Sequence, residues 1–172
     1  VILPPSHHPK FGPRPGHGEI IVQKQPNSRM CFVCGLENAI GLKLAFYTDD
    51  EGRCVTRFRP RDEHQGYPGH LHGGVISTLL DETMGRVLVH GDVFALTGRL
   101  EIKFRKSVPL DQELVVAGEL TRSRSRAYEA RGTIELPDGT VLVEGAGTYM
   151  RIPEEAMERV REELEFWQLV PD

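Results

Sequence analysis

One long apolar helical pattern, which begins at Gly73-Gly74, constrains the fold more than any other feature of the sequence. Its apolar residues recur at helical spacing and cover more than half of the circumference, at Val75, Ile76, Leu79, Leu80, Met84, Val87 and Leu88. Elsewhere the apolar residues alternate with a period of two, which indicates strands. A helix that is apolar on most sides can be buried only if a sheet curls around it.

The period-two segments lie on both sides of this helix. Residues 42–46 and 54–58 predict a hairpin before it, and the segments near 100–104, 114–120, 128–136 and 141–149 predict an antiparallel meander after it. Glycines at strand positions would let the helix approach the sheet closely, at Gly118, Gly132, Gly145 and Gly147. We therefore predict an α+β hotdog fold, an antiparallel sheet of five to six strands wrapped around one long central helix. A flat meander with the helix on top is the alternative.

The composition divides the chain into three parts. Residues 1–28 are rich in proline, glycine and histidine and carry no sustained periodicity, which predicts a flexible N-terminal arm. Residues 29–153 carry the hotdog domain. Residues 154–172 follow Pro153 and show an amphipathic stripe at Ala156, Val160, Leu164 and Trp167, which predicts a C-terminal helix packed on the domain.

The charge balance of the 172 residues excludes several partners. The chain has 21 Lys and Arg against 25 Asp and Glu, so it lacks the broad cationic field that nucleic acid or an anionic membrane requires. Its apolar runs are too short to span a bilayer, and no secretory leader opens the sequence. We expect a cytoplasmic protein with no nucleic-acid or membrane partner.

The start of the long helix and one carboxylate on it form the candidate catalytic constellation. Two glycines at a helix start expose unpaired backbone N–H groups at the positive end of the helix dipole, where they suit a developing oxyanion. Asp81 lies at the border of the apolar and polar arcs, with Ser77 one turn earlier. A partly desolvated carboxylate there can act as base or nucleophile.

The spacing of these groups predicts a dimer. Gly73 and Asp81 are eight residues apart, about 12 Å along one helix at 1.5 Å per residue, too far to act on one carbonyl. Two such helices running antiparallel across a twofold axis would place Gly73 of one chain opposite Asp81 of the other.

At these residues the chain resembles the hotdog-fold acyl-CoA thioesterases of the PaaI-like (phenylacetate-pathway) class. The resemblance covers about residues 31–153 and is carried by the His-Gly-Gly and the later Asp at His72, Gly73, Gly74 and Asp81. Supporting segments are His64-Gln65-Gly66-Tyr67-Pro68-Gly69, Ala95-Leu96-Thr97 and Cys31-Phe32-Val33-Cys34-Gly35 with Asn38, Gly41 and Leu42.

The resemblance implies a homodimeric or tetrameric hydrolase that cleaves acyl-CoA to a carboxylic acid and free CoA. Gly73 N–H would polarise the thioester carbonyl, His72 would shape the loop, and Asp81 of the partner chain would activate water or attack directly. The Thr97 hydroxyl would help to hold the water. The other residues expected to contact substrate are His64, Gln65, Gly74 and Ser77. No cofactor is expected, because coenzyme A is part of the substrate.

Two other functions stay open. A non-catalytic acyl-CoA-binding hotdog protein would keep the fold without turnover. A hotdog hydratase or dehydratase would pair a catalytic histidine with an acid, but the helix offers Asp81 without a histidine beside it.

Three alternating arginines could supply a local phosphate site. Arg122, Arg124 and Arg126 can emerge on one face of a strand, and arginine forks suit phosphate oxygens. Lys103 and Arg105 are secondary candidates. A solvated turn is the alternative for this segment.

No metal site is predicted. His64, His70 and His72 lack further ligands at defined spacing, and Cys31 and Cys34 form one CxxC without the second pair of a zinc ribbon. Local turn packing is the interpretation of the two cysteines, and Cys54 stands alone. Glu82 precedes Arg86 by four residues, which predicts an ordinary surface ion pair.

Overall fold

The computed structural model describes residues 23–91, 93–164 and 166–171. All its strands form one antiparallel sheet in the order β1-β2-β3-β5-β6-β7-β4. The strands are β1 (Gln23–Lys24), β2 (Tyr47–Thr48), β3 (Cys54–Phe58), β4 (Ala95–Phe104), β5 (Leu114–Ser123), β6 (Ala127–Glu135) and β7 (Val141–Arg151). The predicted antiparallel sheet around one central helix is confirmed, with seven strands in place of five or six.

The central helix, α1, spans Gly73–Gly85 and continues as a 3-10 segment, Arg86–Gly91. It packs against β3, β4, β5, β6 and β7. Its buried face consists of Ile76, Leu79, Leu80, Thr83 and Met84. Asp81 lies on the opposite side and is only half-buried in the single chain. The sheet therefore covers one face of α1 and leaves the other open beside β4, an edge strand.

Strand glycines allow the close contact between α1 and the sheet, as predicted for three of the four. A Cβ at Gly118 would lie 2.8 Å from the Thr83 carbonyl oxygen, and Gly132 and Gly145 face the side chains of Leu80 and Met84. Gly147 differs, because a Cβ there would meet the Tyr149 ring. The helix backbone thus approaches β5 at a distance that only glycine permits.

Gly118→Ala is expected to lower the free energy of unfolding by about 2 kcal/mol, because the new methyl group overlaps helix backbone that cannot move aside. Denaturant unfolding measures this change. Gly91→Ala is the matched control, since a Cβ there meets no atom within 4 Å and the expected change is within about 0.5 kcal/mol. Equal stability of the two variants would contradict the close packing.

The N-terminal part departs from the sequence-based expectation in two places. Residues 23–28, assigned to the flexible arm, include β1, which pairs with β2, and the buried side chains of Gln25 and Asn27. The described part of the domain therefore begins by Gln23. This was not predicted from the sequence because the buried side chains there are polar amides, which composition alone assigns to the surface. Residues 1–22 lie outside the described part.

The predicted strand at 42–46 is the second departure. Lys43 adopts a left-handed backbone (φ 53°), which interrupts an extended strand. Leu42 and Leu44 donate their N–H groups to Phe32 and Val33 of the CxxC segment, so regular pairing with β3 begins only at β2.

The C-terminal helix is shorter than expected. Helix α2 spans Glu154–Leu164, and Trp167, predicted on its stripe, lies beyond it with its ring 5.7 Å from that of Phe94. Gln168 pairs with Asn27 through backbone hydrogen bonds, so this end of the chain lies beside the N-terminal segment. None of the described helices has the length and apolar composition needed to cross a membrane.

Candidate active site

The Asp81 carboxylate is held by two hydroxyl groups. Thr97 on β4 donates its hydroxyl to Asp81 Oδ1 at 2.7 Å, and the Tyr149 hydroxyl donates to the Asp81 carbonyl oxygen at 3.1 Å and lies 3.4 Å from Oδ1. A β-bulge at Gly98 interrupts the pairing of β4 with β7 directly after Thr97. The three side chains line a cavity of about 280 Å³. Thus Asp81 is fixed in orientation yet accessible.

Tyr149 is the residue of this group that sequence reasoning missed. Its alternation in a strand pattern predicted only a core position, and its side chain is 1% exposed. Burial, and the negative charge of Asp81 beside it, raise the pKa of the Tyr149 phenol well above its usual value. It therefore remains a neutral hydrogen-bond donor to Asp81.

The other end of α1 presents a backbone N–H. His72 caps the helix: its Nδ1 accepts the Gly74 N–H at 2.9 Å. The preceding N–H, that of Gly73, has no acceptor among the residues that the structure describes. Gly73 lines a second cavity, of about 370 Å³, together with Phe104 at the end of β4. His72 thus caps the start of α1, and it leaves the Gly73 N–H available.

The two ends of the helix open into different cavities. Asp81 meets β4 at Thr97, near the start of the strand, whereas Gly73 meets it at Phe104, the last residue. A single chain therefore does not bring the Gly73 N–H and the Asp81 carboxylate to one substrate atom.

The other predicted substrate contacts have local partners. His64 accepts the Arg61 N–H on Nδ1, its ring lies 5.1 Å from Phe58, and burial lowers its pKa. Gln65 accepts the Gly69 N–H at 3.4 Å. Ser77 donates its hydroxyl to the Gly73 carbonyl at 2.8 Å. None of the three lines either cavity.

The predicted phosphate-binding arginines lie away from both cavities. Arg122, Arg124 and Arg126 are exposed at the β5–β6 hairpin, and Arg122 lies 3.7 Å from Glu129. Two other cations, Arg105 and Lys106, line the cavity beside Gly73.

A polar cluster at the wall of the Asp81 cavity differs most from expectation. The Glu82–Arg86 pair has the predicted spacing, with Nε and Oε1 2.8 Å apart, but Arg86 is only 4% exposed. Its guanidinium lies 4.4 Å from the centre of the Phe46 ring and also donates to Gln25 and Pro26. The prediction of an ordinary surface pair is wrong, because the N-terminal segment covers this turn of the chain.

Two cysteines complete this cluster. Cys31 Sγ lies 3.9 Å from Glu82 Oε2, and Cys34 is 1% exposed. The hydrogen bond from Cys31, together with the charge of Arg86, lowers the pKa of Cys34 below its usual value. That same hydrogen bond and burial raise the pKa of Cys31. Burial raises the pKa of Glu82, and Arg86 opposes this effect.

Comparison with known proteins finds a family model that matches the central part of the chain. Residues 68–143, which include the helix start, Asp81 and Thr97, match the model of the thioesterase superfamily. This stretch of the chain is similar to a thioesterase-superfamily domain. The resemblance inferred from His72, Gly73, Gly74 and Asp81 is thereby confirmed.

Curated relatives and solved structures are also similar to this chain. The chain is 30% identical over 135 residues to the acyl-coenzyme A thioesterase THEM4 of Mus musculus. This match covers 77% of this chain and 58% of the mouse protein. The crystal structure of RHA08564, a thioesterase superfamily protein, superposes with a TM-score of 0.67 and 30% identity over 71% of this chain and 60% of that one. A hypothetical thioesterase of Streptococcus pneumoniae, solved with coenzyme A, has a TM-score of 0.56 and 23% identity over 58% of this chain and 81% of that one.

The match does not extend over the full length of the mouse relative. The chain spans little more than half of the mouse protein.

Proposed function

We propose that this chain hydrolyses acyl-CoA thioesters to a carboxylic acid and free coenzyme A. The observation that carries the proposal is the half-buried Asp81 carboxylate, oriented by Thr97 at 2.7 Å at the wall of a cavity. A fixed and accessible carboxylate suits proton abstraction from water or direct attack on a carbonyl carbon. The name of the mouse relative and the coenzyme A in the streptococcal structure support this substrate class.

In the proposed reaction Asp81 takes a proton from water while the water oxygen bonds to the thioester carbonyl carbon. The Thr97 hydroxyl holds the carboxylate in place. The Gly73 N–H donates to the carbonyl oxygen as negative charge develops there. The carbon–sulfur bond then breaks, and the proton held by Asp81 passes to the departing coenzyme A sulfur.

The active unit we propose is a dimer formed through β4. This strand is at the edge of the sheet, and two of its apolar side chains are exposed, Leu96 (65%) and Phe104 (55%). If β4 pairs antiparallel with its copy about a centre between Leu100 and Glu101, Thr97 of one chain lies opposite Phe104 of the other. That pairing joins the Asp81 half of one chain to the Gly73 half of its partner. Light scattering should then give twice the 19.3 kDa of one chain, or four times if dimers pair.

Two groups of cations, one beside the Gly73 cavity and one away from both cavities, are the proposed contacts for the coenzyme A phosphates. Arg105 and Lys106 border the Gly73 cavity, and Arg122, Arg124 and Arg126 stand exposed on the hairpin. We further propose a cytoplasmic location. The three cysteines are an odd count, which argues against a secreted disulfide framework and supports this location.

A thiol-release assay on the full chain tests the activity. Free coenzyme A is trapped by a chromogenic disulfide over short, long and aromatic acyl-CoAs, after subtraction of the signal of the protein's own cysteines. We expect thiol release that depends on enzyme concentration for at least one acyl class. Binding of acyl-CoA without release would identify a non-catalytic binder. A change in enoyl absorbance without release would identify a hydratase or dehydratase.

A further inference from the structure

The cluster of Cys31, Cys34 and Glu82 has no role in the proposed hydrolysis. The two Sγ atoms and a Glu82 carboxylate oxygen all lie within 4.8 Å of one another, on the wall of the cavity that also contains Asp81. The cysteines come from the N-terminal segment and Glu82 from α1, 51 residues after Cys31. The fold thus brings together three soft or anionic ligand atoms from two distant parts of the chain.

We propose that Cys31, Cys34 and Glu82 bind one Zn²⁺ ion, with a water molecule as the fourth ligand. Two thiolates and a carboxylate oxygen form a donor set that zinc accepts, and three protein ligands with one water are a common arrangement. The proposal is independent of thioester hydrolysis, since it rests on a different set of side chains.

The distances fit a tetrahedral ion. With Zn–S near 2.3 Å and Zn–O near 2.1 Å, neighbouring ligand atoms of a tetrahedron are about 3.5 to 3.8 Å apart. Cys31 Sγ and Glu82 Oε2 are 3.9 Å apart, and all three ligand atoms lie within 4.8 Å. Side-chain adjustments of about 1 Å or less would therefore close the site.

The backbone around the cysteines is shaped to present both sulfurs. The Val33 N–H donates to Cys31 Sγ at 3.3 Å, and the Gly35 N–H donates to the Cys31 carbonyl at 2.8 Å, which closes the turn. A Cβ at position 35 would lie 2.3 Å from that carbonyl oxygen, so the turn requires glycine.

The second sulfur also has a donor. Ser28 Oγ accepts the Cys31 N–H at 3.2 Å, which leaves its hydroxyl hydrogen to donate to Cys34 Sγ, also at 3.2 Å. Each sulfur therefore accepts a hydrogen bond from its own segment of the chain.

Arg86 supplies the outer support of the carboxylate. It holds Glu82 Oε1 at 2.8 Å, so Oε2 is the oxygen that faces Cys31. Ligating carboxylates are commonly held by such a second hydrogen bond. The charges also balance: Arg86 offsets Glu82, and Zn²⁺ offsets two thiolates. This balance matters because Arg86 and Cys34 are both almost fully buried.

The ion would fasten the CxxC segment to α1 at the residue next to Asp81. A disulfide between the two cysteines is the competing outcome, but it would give the Glu82 oxygen beside Cys31 no role. The two cases differ in metal content, which does not depend on any enzymatic activity.

Cobalt substitution of the full chain tests the site. Reduced, chelator-treated protein is titrated with Co²⁺ alone and then with Zn²⁺. We expect one Co²⁺ per chain with a thiolate-to-cobalt charge-transfer band that one equivalent of Zn²⁺ removes. Bound Zn²⁺ should also protect two of the three cysteines from alkylation. Absence of the cobalt band in the reduced wild-type protein would overturn the proposal.

Variants separate metal binding from turn packing. Cys31→Ser and Cys34→Ser should each weaken Zn²⁺ binding about a hundredfold or more, and Glu82→Gln about tenfold or more with the charge-transfer band kept. Cys54→Ala is the matched control, because Cys54 is buried outside the cluster, and it should bind Zn²⁺ like the wild type. Zn²⁺ binding that survives in both serine variants would contradict the ligand assignment. If a variant fails to fold, the wild-type cobalt titration decides alone.

Discussion

Asp81→Asn is expected to lower kcat for acyl-CoA hydrolysis about a thousandfold, with little change in KM. Asparagine keeps the shape of the side chain and an oxygen that can accept the Thr97 hydroxyl, so the pocket stays packed. It removes the basic oxygen that takes a proton from water or attacks the carbonyl. Steady-state thiol release with the best acyl-CoA measures the effect, and light scattering checks that the assembly is unchanged.

Asp50→Asn is the matched control for this variant. This substitution makes the same chemical change at an exposed residue in the turn between β2 and β3, away from both cavities. We expect wild-type kcat from it. An Asp81→Asn protein with wild-type turnover on every acyl-CoA tested would remove Asp81 from the mechanism.

The sequence predicts the helix and the meander well because both depend on local periodicity. The apolar stripe from Val75 to Leu88 required a sheet around it, and α1 packs against five strands. Only part of the candidate site could be predicted from the sequence. Gly73 and Asp81 could be identified as candidate catalytic groups because both lie on one helix. Thr97 was identified only through the resemblance to a family, because its contact with Asp81 depends on how β4 crosses the helix.

What the sequence could not predict depends on contacts between distant segments. Tyr149 alternates like any core residue, and only the tertiary fold brings its hydroxyl to Asp81. Glu82 and Arg86 have the spacing of a surface pair, but the N-terminal segment, with Gln25, buries Arg86. The same covering brings Cys31 to Glu82, so a CxxC without a second cysteine pair acquires a third ligand atom that no spacing rule would show.

Gly73→Pro is expected to lower kcat about a hundredfold or more, because it removes a single N–H from the proposed oxyanion site. Proline is well tolerated at the first residue of a helix, whose N–H has no partner within the helix. His72 already has the extended backbone (φ −63°, ψ 135°) that a residue before proline prefers. The fold should therefore survive, and circular dichroism together with thermal unfolding checks that it does.

Gly73→Ala is the matched control, since it keeps the N–H. A Cβ at this position lies 3.7 Å from Phe104, an ordinary contact distance, so the added methyl group has room. We expect Gly73→Ala to retain most of the activity that Gly73→Pro loses. Equal loss in both variants would mean that space at the helix start, rather than the N–H, is what matters.

Mixing the two inactive proteins distinguishes a shared site from a site within one chain. In a heterodimer of Asp81→Asn with Gly73→Pro, one site combines an intact Asp81 with an intact Gly73 from the other chain, while the second site carries both substitutions. If chains exchange fully, half of the dimers are mixed and each has one working site, so activity should return to about a quarter of the wild-type value. A site contained in one chain would give no recovery, because neither chain holds both groups. Recovery after refolding the mixture, compared with each variant refolded alone, would therefore show that the Gly73 N–H and the Asp81 carboxylate act from opposite chains.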